Sequence, residues 1–255
     1  MTSRVIVITG ASSGIGASLA KQSAARGDKV VLAARREAEL KSVAKECGAD
    51  AMTAVTDVTH RVDVEILRDE AIKRFGHIDV WVNNAGRGIG RQVIDLTDDD
   101  VDQMIAVNLK SALYGRQAVI PHFKERGDGH LINVSSALGR IPFASFRSIY
   151  SASKAALNSL TANLRMDLRA EYPNIHVSVV MPPGVATDFA KNALHGTPGG
   201  TRHLDNAPTA DEVAVSILDL IDHPKAEIYT SPEMAETIAR YYSDVGAFEE
   251  QMGKR

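Results

Sequence analysis

Short runs of apolar and β-branched residues recur along the chain, separated by stretches of helical length. These runs do not alternate with polar residues, which is typical of strands buried on both faces of a parallel sheet. They cover residues 4–9, 29–34, 51–55, 79–83, 130–135, 176–181 and 227–230. The pattern therefore predicts seven strands.

The intervening stretches have helical periodicity. They predict helices over residues 14–26, 36–47, 61–75, 98–126, 148–172 and 209–222. Thr97 before an acidic turn and Gly127 after Arg126 are typical helix start and stop signals. Because strand and helix alternate, we expect an α/β fold: a doubly wound, mostly parallel seven-stranded sheet flanked by helices, Rossmann-like.

The chain shows no Pro/Ser-rich linker and no internal repeat, so a single domain over residues 1–255 is expected. One stretch, residues 192–208, is rich in glycine and proline and lacks periodicity. Long loops inside domains are usually functional. We therefore expect a substrate loop at about residues 188–208.

Composition narrows the class of protein. The chain has 255 residues, 44% hydrophobic and 24% charged, with a net charge of −3 and no long block of one sign. The chain therefore lacks the concentration of basic residues that is typical of a nucleic-acid binder, and no apolar run is long enough to span a membrane. The single cysteine, Cys47, and the wide spacing of the histidines argue against a metal site. With no signal-peptide core at its start, the chain is expected to be cytoplasmic.

Glycines gather where the first predicted strand passes into the first helix. The segment Gly10-Ala11-Ser12-Ser13-Gly14-Ile15-Gly16 would place backbone N–H groups and a helix N-terminus beside a pyrophosphate. A plain structural turn would also favour glycine here. The same residues fit Gly-x-Ser-x-Gly, the nucleophile elbow of serine hydrolases with Ser12 as nucleophile. Only nine residues precede Gly10, which leaves no earlier strand and loop for an oxyanion donor.

An ordered set of motifs follows the glycine turn. It comprises Asp57-Val58, Asn83-Asn84-Ala85-Gly86, Asn108, Ser135-Ser136, Tyr150-Ser151-Ala152-Ser153-Lys154 and Pro183-Gly184. In this order and spacing the chain resembles the short-chain dehydrogenase/reductase family, in its compact single-domain branch, over about residues 4–235. The resemblance implies an oxidoreductase that transfers a hydride between a nicotinamide cofactor and a carbonyl or secondary alcohol.

Tyr150 and Lys154 are the implied acid/base pair. They are four residues apart on a predicted helix, so their Cβ atoms lie about 6 Å apart on one face. Lowering a phenol pKa from about 10 to about 7 requires roughly 4 kcal/mol, which Lys154 and an oxidised nicotinamide would supply. Tyr150 would then donate a proton in carbonyl reduction and accept one in alcohol oxidation.

The resemblance also implies roles for two polar residues. Ser136 would hydrogen-bond the substrate oxygen, with Ser135 as the alternative, since the spacing to Tyr150 does not separate the two. Asn108 would open a helix kink and hold a water near the lysine. A solvated helical asparagine is the alternative for Asn108.

The cofactor would lie along the carboxyl ends of the strands. By resemblance, Asp57 and Val58 contact adenine, the Val185 backbone contacts the carboxamide, and Thr187 contacts the carboxamide or a phosphate. The full set expected to bind the cofactor is Gly10, Ser12, Ser13, Gly14, Ile15, Gly16, Arg35, Arg36, Asp57, Val58, Asn84, Ala85, Gly86, Tyr150, Lys154, Pro183, Gly184, Val185 and Thr187.

The end of the second strand predicts NADP(H) over NAD(H). An NAD-selective protein places an acidic residue there, about 20 residues after the glycine turn, for the ribose hydroxyls. Here Ala34 stands at that point and Arg35-Arg36 follow, which favours a 2′-phosphate. Solvated arginines, neutralised by Glu37 and Glu39, are the alternative.

The substrate is a small molecule that the sequence does not identify. Five arginines near the predicted site are either anion contacts or solvated surface: Arg87, Arg91, Arg140, Arg147 and Arg202. The resemblance further implies a homodimer or homotetramer. Three alternative functions stay open: a non-catalytic dinucleotide-binding sensor, an epimerase or dehydratase of the longer branch, and a serine hydrolase.

Overall fold

The computed structural model describes residues 3–197 and 207–253, and one parallel sheet organises them. Its strands are β1 (Val5–Thr9), β2 (Lys29–Ala34), β3 (Ala51–Val55), β4 (Val80–Asn83), β5 (Gly129–Val134), β6 (Ile175–Met181) and β7 (Glu227–Tyr229). They lie in the order β3-β2-β1-β4-β5-β6-β7, and all six neighbouring pairs are parallel. The predicted doubly wound α/β fold with seven strands is confirmed.

Helices cover both faces of the sheet. They are α1 (Gly14–Ala25), α2 (Glu37–Cys47), α3 (Arg61–Phe75), α4 (Asp98–Ile105), α5 (Ser111–Arg126), α6 (Ser148–Arg169), α7 (Ala210–Asp222), α8 (Pro232–Ser243) and α9 (Val245–Gly253). Side chains alternate between faces along a strand, so Ile6 and Ile8 pack towards α1, α2 and α7 while Val7 packs towards α3, α5 and α6. Two apolar cores result. Within the described ranges, no helix combines the length and apolar character needed to cross a bilayer.

The helix predicted over residues 98–126 is present but is not one uniform α-helix. It divides into α4 and α5, joined by a π-helical turn at Ala106–Lys110. The predicted start is right: Thr97 accepts a hydrogen bond from the Asp100 backbone, and the Asp100 carboxylate accepts one from Thr97 N. Gly127 ends α5 at a φ of +73°, which glycine adopts without strain.

The segment expected as a substrate loop leaves the carboxyl end of β6. Its described residues, 188–197, form turns without a helix or strand, and residues 198–206, including Arg202, lie outside the described residues. Two further helices, α8 and α9, follow the last predicted element. Only Ile238 of α8 is buried.

A buried histidine in β5 couples the fold to pH. His130 is 4% exposed, and its Nε2 lies 2.7 Å from Ser178 Oγ, which itself donates to the Lys225 carbonyl. The ring nitrogen therefore carries the proton and donates to Ser178. Burial, with smaller contributions from His176 and Arg4, lowers the pKa of His130 to about 3.

Acid should destabilise the protein through His130. The unfolded chain, with an imidazole pKa near 6.5, binds the proton first, so stability falls as pH drops from about 6.5 towards 3. The expected slope from this group is up to about 1.4 kcal/mol per pH unit. His130→Asn should flatten the pH dependence of the unfolding free energy measured in urea. The same exchange at the exposed His60 is the control, and an equal effect of both changes would contradict the assignment.

Candidate active site

A large cavity lies at the carboxyl edge of the sheet. It has a volume of about 1460 Å³ and runs from the glycine turn after β1, past the ends of β2, β4 and β5, to residues 182–190. Every residue predicted to bind cofactor or to act in catalysis lines it, except Gly16 and Asn108. Among the described residues no three His, Cys, Asp or Glu side chains cluster as metal ligands.

The glycine turn brings backbone close to backbone. Gly10 has a φ of +69°, and a Cβ there would lie 2.8 Å from Ala85 Cα. The first residue of α1, Gly14, has a φ of +55°. Ser13, at the N-cap, makes no side-chain capping bond, and the first turn of α1 contains no acidic residue. Free N–H groups and the positive end of α1 are therefore available to an anion in the cavity.

Gly16 lies behind the residues that line the cavity. A Cβ at this position would come within 2.5 Å of both Gly10 O and Asn84 Nδ2. Asn84 Nδ2 in turn donates to Thr9 O at 2.9 Å and to Gly10 O at 3.3 Å. Gly16 and the Asn84 amide thus shape the turn, while other atoms of Asn84 line the cavity.

Two arginines stand beside the glycine turn. Arg36 Nη2 donates to Ser12 Oγ at 3.0 Å and to Ser13 Oγ at 2.8 Å. Burial raises the pKa of Asp57, but hydrogen bonds from Thr59 and the charge of Arg35 outweigh it and leave the pKa below its usual value. Both guanidinium groups therefore lie at the end of β2 expected to hold the adenosine ribose.

Ser12 has none of the neighbours that a hydrolytic serine needs. Within the described part of the chain, its hydroxyl bonds to a guanidinium, and no histidine lies within hydrogen-bonding distance. A serine nucleophile requires an adjacent base. The nucleophile-elbow alternative has no structural support.

Tyr150 lies in the first turn of α6 and is 6% exposed. Burial raises the pKa of its phenol, while a hydrogen bond with Ser136 and the nearby Arg147 guanidinium lower it; burial prevails. The ring of Phe189 lies 5.5 Å from the Tyr150 ring, centroid to centroid. The phenol is thus held in its protonated form under an aromatic cover.

Lys154 is buried one turn further along α6. Its Nζ donates to Val134 O at 2.9 Å and lies 5.9 Å from the Tyr150 ring centroid. Burial lowers the pKa of Lys154 to about 8. In this structure Arg147 is the cation that lowers the pKa of Tyr150.

The two serines after β5 have different partners. Ser135 Oγ donates to Lys154 O at 3.3 Å and so turns away from the phenol. The Ser136 hydroxyl is close enough to the phenol to lower the pKa of Tyr150, and its Oγ accepts from Leu138 N at 3.1 Å. The geometry places Ser136, rather than Ser135, beside the Tyr150 hydroxyl.

Asn108 lies in the π-helical turn and is 1% exposed, which removes the solvated alternative. Its Oδ1 accepts from Arg87 N at 3.0 Å, and its Nδ2 donates to Arg87 O at 2.9 Å. A Cβ on Gly86 would lie 3.0 Å from Asn108 Oδ1 and 3.6 Å from Lys154 Nζ. Asn108 therefore fixes the loop after β4 next to the lysine.

The segment 188–197 is bound against the loop that follows β4. Leu194 N donates to Gly88 O at 2.9 Å, and Gly90 N donates to Leu194 O at 2.8 Å. His195 Nε2 lies 2.6 Å from the buried carboxylate of Asp100. These bonds hold the segment across the cavity mouth, with Phe189 against Tyr150.

The structure separates the arginines that the sequence left undecided. Arg91 pairs with Asp100 and Arg140 with Glu227. Arg87 donates through Nε to Asn192 O. Arg147 is buried and lines the cavity, with oxygen partners that carry no charge among the described residues. Sequence reasoning did not single it out.

Comparisons with known proteins agree with this architecture. Residues 4–197 match the family described as short chain dehydrogenase, and the chain belongs to that family of oxidoreductases. Uncharacterized oxidoreductase YxnA of Bacillus subtilis (strain 168) is 37% identical over 243 residues, 92% of this chain and 67% of that protein. An uncharacterized oxidoreductase of Staphylococcus aureus (strain USA300) is 40% identical over 226 residues, 88% of this chain and 94% of the relative.

Solved structures show the same fold. A short chain dehydrogenase/reductase from Burkholderia phymatum in complex with NAD is 28% identical, with a TM-score of 0.87 over 96% of this chain and 95% of that one. The closed form of serine dehydrogenase complexed with NADP⁺ is 27% identical, with a TM-score of 0.80 over 88% and 94%. Nicotinamide cofactors of both kinds thus occur among the neighbours.

Proposed function

We propose that the protein is an NADP-dependent oxidoreductase that transfers a hydride between the nicotinamide and a carbonyl or secondary alcohol. The observation that carries the proposal is that Tyr150, with Ser136 beside it, is buried in the same cavity as the uncapped glycine turn. The family of oxidoreductases and the cofactors of its neighbours agree with this reaction class.

The cavity has the features that a dinucleotide needs. The glycine turn and the free N–H groups of α1 would hold the pyrophosphate, Asp57 and Val58 the adenine side, and Pro183, Gly184, Val185 and Thr187 the nicotinamide side. A Cβ added at Gly14 would lie only 3.4 Å from Thr187 Cγ2, so the two ends of this path are close together. When bound, the cofactor would supply or accept the hydride.

Tyr150 would move the proton that accompanies the hydride. In reduction its hydroxyl donates to the carbonyl oxygen, and in oxidation the phenolate takes the proton from the alcohol. Ser136 donates to the substrate oxygen and holds it beside the phenol. Burial raises the pKa of Tyr150, which favours the protonated form required for reduction. Lys154 would contact the nicotinamide ribose, and Asn108 positions the neighbouring loop.

Cofactor choice is proposed from the arginines at the end of β2. Ala34 leaves room at the ribose, and Arg36 already contacts two hydroxyls of the glycine turn. A 2′-phosphate bound there would accept one or two charge-assisted hydrogen bonds from these arginines. Glu39 lies 3.6 Å from Arg36 Nη1 and is half-exposed, so its competition for the guanidinium is weak.

Assembly as a homodimer or homotetramer is proposed from α6. Leu157, Leu164 and Leu168 are buried in the protomer, whereas Leu160 is 40% exposed and Met166 66% exposed. Three of the four leucines at helical spacing on α6 therefore serve the core, and Leu160 is left for a partner.

Tyr150→Phe removes the proposed proton donor but keeps the ring that packs on Phe189. Turnover of ketones or secondary alcohols should fall by about 10²–10⁴ while the dissociation constant of NADPH stays unchanged. A broad substrate panel followed by NADPH absorbance measures the first, and fluorescence titration the second. Tyr172→Phe, outside the cavity, is the control. Cofactor binding without turnover by the wild type would favour the sensor alternative.

Arg36→Ala and Arg35→Ala should each raise the KM for NADPH by about 10–100-fold, because a charge-assisted hydrogen bond to phosphate contributes about 1.5–3 kcal/mol. The KM for NADH should change little. Ala34→Asp should shift the preference towards NADH by repelling the phosphate. Arg74→Ala, remote from the cavity, is the control. Equal wild-type kcat/KM for the two cofactors would overturn the proposed preference.

Sedimentation velocity at micromolar concentration should give two or four times the monomer mass. Leu160→Glu should shift the protein towards the monomer, since a charge buried in an apolar interface is costly. Val215→Glu, at a more exposed apolar position on α7, should leave the mass unchanged. A monomeric wild type argues against assembly.

A further inference from the structure

The active-site cavity contains a buried positive charge that the proposed proton transfer does not use. Arg147 directly precedes α6 and is 7% exposed. Its Nη1 donates to Ile89 O at 2.9 Å and its Nη2 to Thr197 Oγ1 at 2.9 Å. Two of the five guanidinium N–H groups are thus engaged, and the side chain is fixed between α6, the loop after β4 and segment 188–197.

Neither partner of Arg147 carries a charge. Over residues 3–197 and 207–253, no carboxylate lies within 4 Å of its guanidinium. Arg91 and Arg140, two of the other arginines that the sequence left undecided, have carboxylate partners at 2.7 Å and 2.6 Å. Buried charges in proteins are normally paired, because an unpaired one loses its hydration without compensation.

A second buried cation lies at the Tyr150 end of the cavity. Lys154 donates only to a backbone carbonyl among the described residues. The acidic side chains that line the described cavity are Asp57, Asp188 and Asp211. Asp57 lies near Arg35, Asp188 pairs with Lys191 at 2.7 Å, and Asp211 accepts from Ser18 of α1. Each acidic side chain therefore has a partner other than Arg147 and Lys154.

Arg147 is close to the reacting group. It is three residues before Tyr150, a spacing that puts side chains on one face about 5–6 Å apart at Cβ. A Cβ on Gly88 would lie 2.9 Å from both Arg147 Nη1 and Phe189 Cε1, so the guanidinium adjoins the aromatic cover of Tyr150. One small molecule can therefore reach both Arg147 and the phenol.

We propose that Arg147 binds a carboxylate of the substrate, so that the protein acts on a hydroxy acid or oxo acid; this rests on the proposed hydride-transfer function. A monoanion suits the site because it has one guanidinium with two donors already engaged. Arg87 is the rival anion ligand. It is less buried, and its Nε is held by Asn192 O at 3.1 Å.

Binding is tested without turnover. Straight-chain carboxylates from acetate to octanoate are added to the NADP⁺-loaded protein, each beside its primary amide, and thermal unfolding is followed. At least one carboxylate should bind ten-fold or more tightly than its amide. Arg147→Met should remove this difference, and Arg147→Lys should keep part of it. Each variant is measured with both the carboxylate and its amide, so a loss of stability alone does not change the difference between the two.

The second measurement is the kcat/KM ratio of hydroxy acids to their methyl esters. Arg147→Met should lower the ratio about 10–100-fold, chiefly through KM for the acid, while Arg140→Met leaves it unchanged. Turnover of neutral alcohols with no preference for acids would overturn the carboxylate site and leave the proposed function standing. Carboxylate binding without any turnover would overturn the proposed function alone. Loss of selectivity in Arg87→Met but not in Arg147→Met, or tighter binding of alkyl phosphates, would overturn the assignment to Arg147.

Discussion

One hydroxyl group joins the two halves of the sheet at the edge where the cavity forms. Thr9 Oγ1, 3% exposed at the end of β1, donates to Val82 O and accepts from both Asn84 N and Ala85 N. Its donor and both lone pairs are therefore used. Strand order reverses between β1 and β4, which is where ligands bind in open α/β sheets. The glycine turn, the Asn84 amide and the loop bound by Asn108 all take their positions from this junction.

The fold was largely predictable because the strands are buried on both faces. Strands in that environment have uninterrupted apolar runs in the sequence. The predicted strand boundaries differ from the observed ones by no more than one residue. Periodicity did not predict the π-helical turn between α4 and α5, whereas the resemblance implied a helix kink at Asn108. Apolar periodicity averages over several turns, so one widened turn leaves almost no mark. The helix α8, of which only Ile238 is buried, was not predicted.

The candidate site divides along similar lines. Residues carried by short local motifs, such as Tyr150 with Lys154 or the glycine turn, were placed at the cavity as expected. Arg147 was indistinguishable from surface arginines, because its burial depends on Ile89 and Thr197, 58 and 50 residues away in the chain. The spacing of Tyr150 and Lys154 did not predict where the Lys154 ammonium points. Its direction is set by the hydrogen bond to the Val134 carbonyl at the end of β5. Long-range partners are what sequence spacing does not encode.

The π-helical turn at Ala106–Lys110 sets the rotational phase of a 29-residue stretch, from Asp98 to Arg126. Successive helical residues are about 100° apart, so one residue more or less before α5 would turn that whole helix about its axis. In its present phase α4 directs Met104 to the core below Tyr150, and α5 presents Gly115 to Trp81 and Asn83. A Cβ at Gly115 would overlap Asn83 Oδ1, the acceptor of the Trp81 ring N–H. The π-helical turn thus sets the rotation of α5 relative to α4, and with it which residues of each helix face the core.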